Sequence, residues 1–320
     1  MSQAEEKKNP EYEFTPRLAA IPTGSLGLDL ALGAGGISCG QFVEISGTES
    51  SGKTTLCQHI VAHAQRMERL CAWIDTDHSF NPVYAMSCGV ALQHLLFTSP
   101  PDAEQAFDTL EALIGTQSGI VVVLDSVDAL TSRDELGLPL GINPSAVAGS
   151  NIDKLLSLLL RKLTPVVNRS QAVVLFTNRS QQHRSEAYHQ LSAHLSRLAL
   201  KLHAGLRLRL QATGHLLENG VITGQRVQVK ILRNQNVAPP LRVEFDIIYN
   251  QGINYSGEVF DLGLQAGLIH QQGEAFTLQG LNLGIGRTQA IETLERQALI
   301  RPMEQGIRQK LLRTPLSGEI

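Results

Sequence analysis

At 320 residues, 42% of them apolar and 18% charged, the chain can bury a full core and has room for one large domain and a smaller one. A formal net charge of −3 excludes a globally basic binder of nucleic acid or membrane, so any contact with a polyanion must come from a local patch. No apolar run is long enough to span a bilayer and no N-terminal export signal is visible, while the four cysteines (Cys39, Cys57, Cys71, Cys88) lack metal-ligand spacing; together these suggest a cytoplasmic protein with reduced thiols and no membrane partner.

In chain order, residues 1–20 are polar, of mixed charge, and read as a short mobile arm. Residues 21–255 alternate short apolar runs with helical segments. Expected strands are Gln41–Ser46, Leu70–Asp75, His94–Thr98, Ile120–Asp125 and Gln171–Thr177. Helices are expected over Thr54–Met67, Pro82–Cys88 and Pro101–Ile114, with a long apolar stretch, Asn151–Val167, before the fifth strand. Runs such as Ile120-Val121-Val122-Val123-Leu124 are apolar throughout, as in parallel strands buried on both faces. Leu206–Leu210, Arg226–Leu232 and Leu241–Ile247 alternate instead and are expected to extend the sheet as antiparallel, half-exposed strands. Residues 256–320 read as a small α/β module: a helix, short strands around a Gly284-Ile285-Gly286 turn, and two helices.

The first strand runs into Gly47-Thr48-Glu49-Ser50-Ser51-Gly52-Lys53-Thr54-Thr55 and then a helix, which is the context a G-x-x-x-x-G-K-[ST] loop requires. Its glycines let backbone N–H groups turn toward phosphate oxygens, and the new helix offers its positive end to the same anion. Lys53 can reach the β- and γ-phosphates, and the Thr54 hydroxyl can ligate Mg²⁺. This reads as an ATP site. Asp125, ending the most apolar strand, is the second metal-holding group. Asp77 follows another strand and is the candidate to orient the attacking water, with Asp75 and a plain helix cap as the competing readings. Tyr84 is either a stacking surface for adenine or a core tyrosine.

These motifs resemble the bacterial RecA recombinase family. Ile21-Pro22-Thr23-Gly24-Ser25-Leu26-Gly27-Leu28-Asp29 resembles its entry segment, and Glu49–Thr55 its phosphate loop. Leu124-Asp125-Ser126-Val127-Asp128-Ala129-Leu130 is similar to its Walker-B region, and Gln251-Gly252-Ile253-Asn254-Tyr255-Ser256-Gly257-Glu258 to its C-terminal entry. The resemblance runs from about Ile21 to Leu312. It implies an α/β fold: a RecA-type P-loop NTPase core with a mixed, mainly parallel sheet flanked by helices, plus a small C-terminal α/β domain. It also implies a C-terminal DNA-handling module, ATP with Mg²⁺ held between self-associating subunits, and single-stranded DNA as partner. Arg287, Arg296, Arg301, Arg308, Lys310 and Arg313 of the C-terminal module fit weak duplex capture, with surface charge for solubility an equal rival, and an active RecA is a partner if the chain is an accessory paralogue.

The departures narrow the expectation. The family's catalytic Glu is matched by Asp77, one methylene shorter, and a misplacement of ~1 Å can cost on the order of 10²-fold in rate. The family's phosphate-sensing Phe-x-Asn-Gln is matched by Phe176-Thr177-Asn178-Arg179, so a neutral amide becomes a fixed cation. Its two trans lysines are matched by Arg233, which keeps the charge, and Gln235, which loses it. Weak hydrolysis is therefore expected. The loop after the sensor, Ser180–Arg197, is polar and mildly basic, and its Arg184, Tyr188 and Arg197 are what a single strand needs, unless the loop is simply a solvated interface. Lys154 and Arg161, on the helix after a nearly uncharged Gly/Pro-rich loop, are either phosphate contacts or a solvated helix face. The functional expectation is a DNA-binding, slowly hydrolysing protein of recombination and repair; the alternative is an ATP-binding accessory paralogue that modulates a true recombinase.

Overall fold

A computed structural model describes residues 19–139, 151–179, 198–218, 220–237 and 241–311. A short helix α1 (Leu26–Ala31) leads to β1 (Gln41–Gly47), α2 (Lys53–Arg66), β2 (Cys71–Asp75), α3 (Pro82–Ser87), β3 (Leu95–Thr98), α4 (Ala103–Ile114) and β4 (Val121–Asp125). After a short helix α5 (Arg133–Leu136) come α6 (Asn151–Ser170), β5 (Val173–Arg179), the paired strands β6 (Leu206–Glu218) and β7 (Val221–Arg233), β8 (Leu241–Ile248) and β9 (Gly252–Ile253). The remainder is α7 (Tyr255–Gln265), β10 (Ile269–Gln272), β11 (Ala275–Leu278), β12 (Leu281–Ile285), α8 (Arg287–Arg296) and α9 (Ile300–Leu311).

Nine strands form one sheet in the order β3-β2-β4-β5-β1-β6-β7-β8-β9. β3 through β6 in that order are parallel, and β7 to β9 are antiparallel additions. The sheet is thus mixed and mainly parallel, as expected. One detail is only half as expected: β6 pairs antiparallel with β7, but on its other side it lies parallel to β1, with Gly47 opposite Leu210. Alternation reports one solvated face and does not distinguish the two directions. The Gly284–Gly286 turn is also displaced: the three-stranded sheet turns at residues 273–274 and 279–280, and Gly286 instead precedes α8.

Strand alternation sorts the core into two layers. Val43, Ile45, Trp73, Val123, Val173 and Leu175 pack with Leu56 and Ile60 of α2. Phe42, Val122, Val174 and Phe176 face the other way, against Phe107 and Leu110 of α4 and Leu156, Leu160 and Leu163 of α6. A third cluster joins Leu26 and Leu30 of α1 to Val259, Phe260, Leu294 and Ile307. The polar groups at that junction are tightly arranged. The Glu258 carboxylate accepts from Ser25 Oγ at 2.6 Å, Leu26 N at 2.9 Å and Gly27 N at 2.9 Å, so it caps the start of α1 from a helix 232 residues away. A side chain at Gly27 would meet Glu258 Oε1 at 2.9 Å, which explains the glycine.

Beside it, Asp29 is buried. Burial pushes its carboxyl from 3.8 up to about 7, outweighing the hydrogen bonds from Thr23 and the Arg308 guanidinium 3.9 Å away. Between those values the folded chain keeps a proton that the unfolded chain has lost. Stability contributed by Asp29 is therefore full at low pH and declines from about pH 4 to about pH 7. Asp29→Asn removes this decline. Relative to the parent, the variant should gain stability with pH at about 1.4 kcal/mol per pH unit across the window and level off above it. Urea denaturation at pH 5 and pH 8 reads the difference; a gap that does not widen with pH refutes the assignment.

Candidate functional site

β1 delivers Gly47 to the carboxyl edge of the sheet, between Arg179 of β5 and Leu210 of β6. The chain then turns through residues 48–52 into α2. Gly52 sits in the left-handed region at φ +89°, and a Cβ there would lie 2.5 Å from Ile247 Cδ1, so only glycine fits. Gly52 gives α2 no side-chain cap, which leaves its first N–H groups available to an anion. The Ser51 hydroxyl is fully buried and has no hydrogen-bond partner among the described residues. A loop with open N–H groups and an orphaned buried hydroxyl fits a phosphate chain.

Lys53 curls back over this loop, donating to Gly47 O at 3.2 Å and Thr48 O at 2.7 Å. Burial lowers its pKa, the Asp125 carboxylate counters this, and the Arg179 guanidinium adds to the lowering. Thr54 Oγ1 donates to Asp125 Oδ2 at 2.8 Å, and the Thr177 hydroxyl donates to the other Asp125 oxygen. Burial raises the Asp125 pKa against these two hydrogen bonds, and the carboxylates of Asp77 and Asp75 raise it further. A hydroxyl and a carboxylate converging beside a phosphate loop are the donor set of a hard divalent cation such as Mg²⁺.

The competing aspartates separate by what they hold. Asp75 is buried and accepts the N–H groups of Ser79 at 3.2 Å and Phe80 at 3.1 Å, so it fixes the turn after β2. Asp77 is half-exposed; its carboxylate accepts from Ser79 Oγ at 2.7 Å and also hydrogen-bonds the Asp75 carboxyl, which burial and this contact hold above the usual carboxylate range. Tyr84 lies half-buried on α3 with Oη 3.0 Å from Thr55 Oγ1, and burial pushes its phenol up to about 12. It lines a cleft of ≈ 190 Å³ with Ser50–Thr55, Gln225, Ile247 and Tyr249. Gln225 also donates to Ser50 O at 2.8 Å. Sequence reading missed Gln225 and Tyr249, which reach the loop only because β7 and β8 fold beside it. A larger cavity of ≈ 630 Å³ lies at the far end of α2, lined by Arg66, Arg69, Leu95 and Leu96, away from these converging groups.

The remaining expected residues scatter. Asn178 donates to buried Glu44 at 3.1 Å, and Glu44 also pairs with Arg207 Nε at 2.5 Å. Arg179 ends β5 opposite Gly47, with its backbone N–H bonded to the Asp128 carboxylate. Arg233 donates to Lys201 O at 3.0 Å and Leu202 O at 3.1 Å, capping helical residues 198–203. Because β7 runs antiparallel, Arg233 pairs with Arg207 and lies at the amino edge of the sheet, opposite the phosphate loop of its own chain. Lys154 and Arg161 are exposed on one face of α6, flanking Leu158, and line a shallow groove of ≈ 310 Å³ with Leu198 and Leu202. Arg184, Tyr188 and Arg197 lie outside the described residues, as does the arm before residue 19. No helix among the described residues is long and apolar enough to cross a membrane.

Comparison with known proteins agrees with this architecture. Residues 11–254 match the RecA N-terminal domain. Protein RecA of Chloroflexus aurantiacus J-10-fl is 40% identical over 307 residues, covering 95% of this chain and 86% of that protein. Protein RecA of Roseiflexus sp. RS-1 is 41% identical over 310 residues with the same coverage, and that of Bartonella quintana Toulouse is 39% identical over 290 residues, covering 91% and 82%. A match that spans both the nine-stranded core and the C-terminal helices places this chain in the RecA family.

Proposed function

We propose that this protein is a cytoplasmic, ATP-dependent, single-stranded-DNA-binding protein of homologous recombination and repair, with slow hydrolysis. The observation that carries the reading is the convergence of Lys53, Thr54 and Asp125 on one strand–loop–helix turn. In this reading residues 47–55 cradle the triphosphate and Lys53 neutralises its outer phosphates. Thr54 and Asp125 hold Mg²⁺, which would shield phosphate charge when bound. Tyr84, with Tyr249, receives the base. Asp77 orients the attacking water. Arg233 serves a neighbouring copy, since its own site is at the opposite edge of the sheet. Arg179 responds to the terminal phosphate, whereas Asn178, expected beside it, is held by Glu44; Lys154, Arg161, Arg184, Tyr188 and Arg197 meet the DNA backbone and bases. Residues 1–20, 21–255 and 256–320 act as arm, ATPase core and duplex-capturing module. ATP binding shifts the population toward the DNA-competent assembly, and hydrolysis releases it.

A second reading, an accessory subunit that joins an active RecA without exchanging strands, is favoured by one contact. Arg233 is already engaged in capping its own chain's helix, so lending it to a neighbour breaks two hydrogen bonds. ATP turnover with and without single-stranded DNA, and strand exchange alone and beside an active recombinase, divide the two. DNA-stimulated turnover supports the first; modulation without intrinsic exchange supports the second. Asp77→Glu restores the missing methylene and should raise turnover roughly 10-fold or more. A fall instead would remove Asp77 from the water-orienting role.

A further inference from the structure

Three consecutive residues near the end of β5 serve three different places. Phe176 packs in the α4–α6 layer, Thr177 reaches Asp125, and Asn178 is held by Glu44. Strand alternation explains the division. Val121 stands opposite Val173 and Val123 opposite Leu175, all four on the α2 layer. Asp125 and Thr177 continue these two series, so both side chains leave the sheet on the face that carries α2 and the phosphate loop. In the sheet β5 lies between β4 and β1, and Thr177 pairs with Ile45, two residues before Gly47. Thr177 therefore sits between the strand that delivers the loop and the strand that delivers Asp125.

Asp125 is almost fully buried, and two hydroxyls share its carboxylate. Thr54 donates to Oδ2 at 2.8 Å, and Thr177 donates to Oδ1. No other hydrogen bond reaches this carboxylate among the described residues. The torsion that turns an aspartate carboxylate about its own axis is soft, so a bond to one oxygen leaves the plane of the group free to swing. Bonds to both oxygens fix it. Thr54 is half-buried in the first turn of α2, whereas Thr177 is wholly buried in the sheet and is the immobile partner. With a methyl group in place of that hydroxyl, Oδ1 would have no donor in a site almost closed to water, and the carboxylate would turn to find one.

We propose that Thr177 is a positioning residue for the divalent cation that accompanies the nucleotide. Its hydroxyl holds the Asp125 carboxylate in the plane in which Asp125 and Thr54 jointly present oxygens to the metal. Hydrogen-bond partners of metal-holding groups typically govern about 10- to 100-fold in metal affinity. The effect should fall on the metal and spare the nucleotide, because the Thr177 hydroxyl bonds Asp125 and neither the loop carbonyls nor Lys53.

This inference rests on the reading of Thr54 and Asp125 as the metal-holding pair of an ATP site. Its test compares the parent chain with T177V, T177A and T177S. Calorimetry measures ADP binding with Mg²⁺ and with EDTA, and the EPR signal of Mn²⁺ titrated into each chain with ADP counts bound metal directly. The parent should bind ADP more tightly with the metal than without it. T177V should lose about 10-fold of that gain and of Mn²⁺ affinity, while metal-free ADP affinity stays within about two-fold. T177S keeps the hydroxyl and should recover most of the loss. T177A and T177S differ only in the hydroxyl, so that pair reads the same contrast if T177V does not fold. Unchanged metal affinity in T177V, or in T177A beside T177S, overturns the proposal. An equal loss in T177S also overturns it, since the missing methyl group would then be the cause, as does a matching fall in metal-free ADP affinity. A parent that binds ADP equally with and without metal removes the reading of Thr54 and Asp125, and one that binds no ADP removes the reading of the loop; the inference falls with either.

Discussion

Lys53→Ala should reduce ATP turnover by about 10³-fold or more and remove the heat of nucleotide binding, while leaving the melting temperature near that of the parent. The upper end of the effect of one preorganised donor sets the scale, because Lys53 brings a full charge to a partly buried site. Its ammonium rests on two loop carbonyls at 3.2 Å and 2.7 Å, so it is held at the position where the outer phosphates would arrive. The fold should not suffer. Burial already disfavours the charged lysine, and α2 continues from Thr54 onward with Leu56 and Ile60 in the core. Alanine is also a good first-turn residue. Turnover with Mg²⁺, calorimetry with a non-hydrolysable analogue and a thermal melt together decide the matter. Unchanged turnover in a folded variant would displace the chemistry from this loop, and loss of folding would show that Lys53 is structural.

Glu258→Ala is expected to destabilise the chain by about 3 kcal/mol, the largest single effect away from the nucleotide site. The carboxylate is fully buried and serves three donors, two of them backbone N–H groups at the start of α1. Alanine leaves those groups without water or partner, and each unsatisfied buried donor costs about 1–3 kcal/mol. Water entering the vacated space recovers part of the loss. The helix that carries Glu258 also carries Val259 and Phe260 of the third core cluster, so the break should loosen α7 from α1. Glu258→Gln keeps one acceptor oxygen and should lose less. Urea denaturation near pH 6 measures both, and limited proteolysis reports whether cleavage concentrates near residues 254–258. A variant as stable as the parent would mean that the capping contacts are not maintained in solution.

Much of the site was legible because its parts are contiguous. Gly47 through Thr55 carries its own turn, donors and helix start, and Asp125 announces itself by ending an uninterrupted apolar strand. The two-layer sheet followed from the same apolar runs. Direction was harder to read. The alternation of Leu206, Leu208 and Leu210 marks a half-exposed strand whether its neighbour runs with it or against it, and β6 proved parallel to β1. Asp75 and Asp77 could not be separated by spacing. Their roles diverge through hydrogen bonds, since Asp75 holds two backbone N–H groups and Asp77 holds none.

By itself, the order of residues determined the α/β class, the glycine-lysine loop and the place of Asp125 at the end of its strand, because local backbone geometry and short-range burial encode those features. Tertiary structure alone decided which distant groups complete them. It brought Gln225 and Tyr249 to the loop, turned Asn178 toward Glu44 and sent Arg233 to the opposite edge of the sheet. It also joined Glu258 to a helix start 232 residues earlier. The reason is that strand direction and sheet order are set by packing across the whole core, and a residue's neighbours across a sheet are not written in its spacing along the chain.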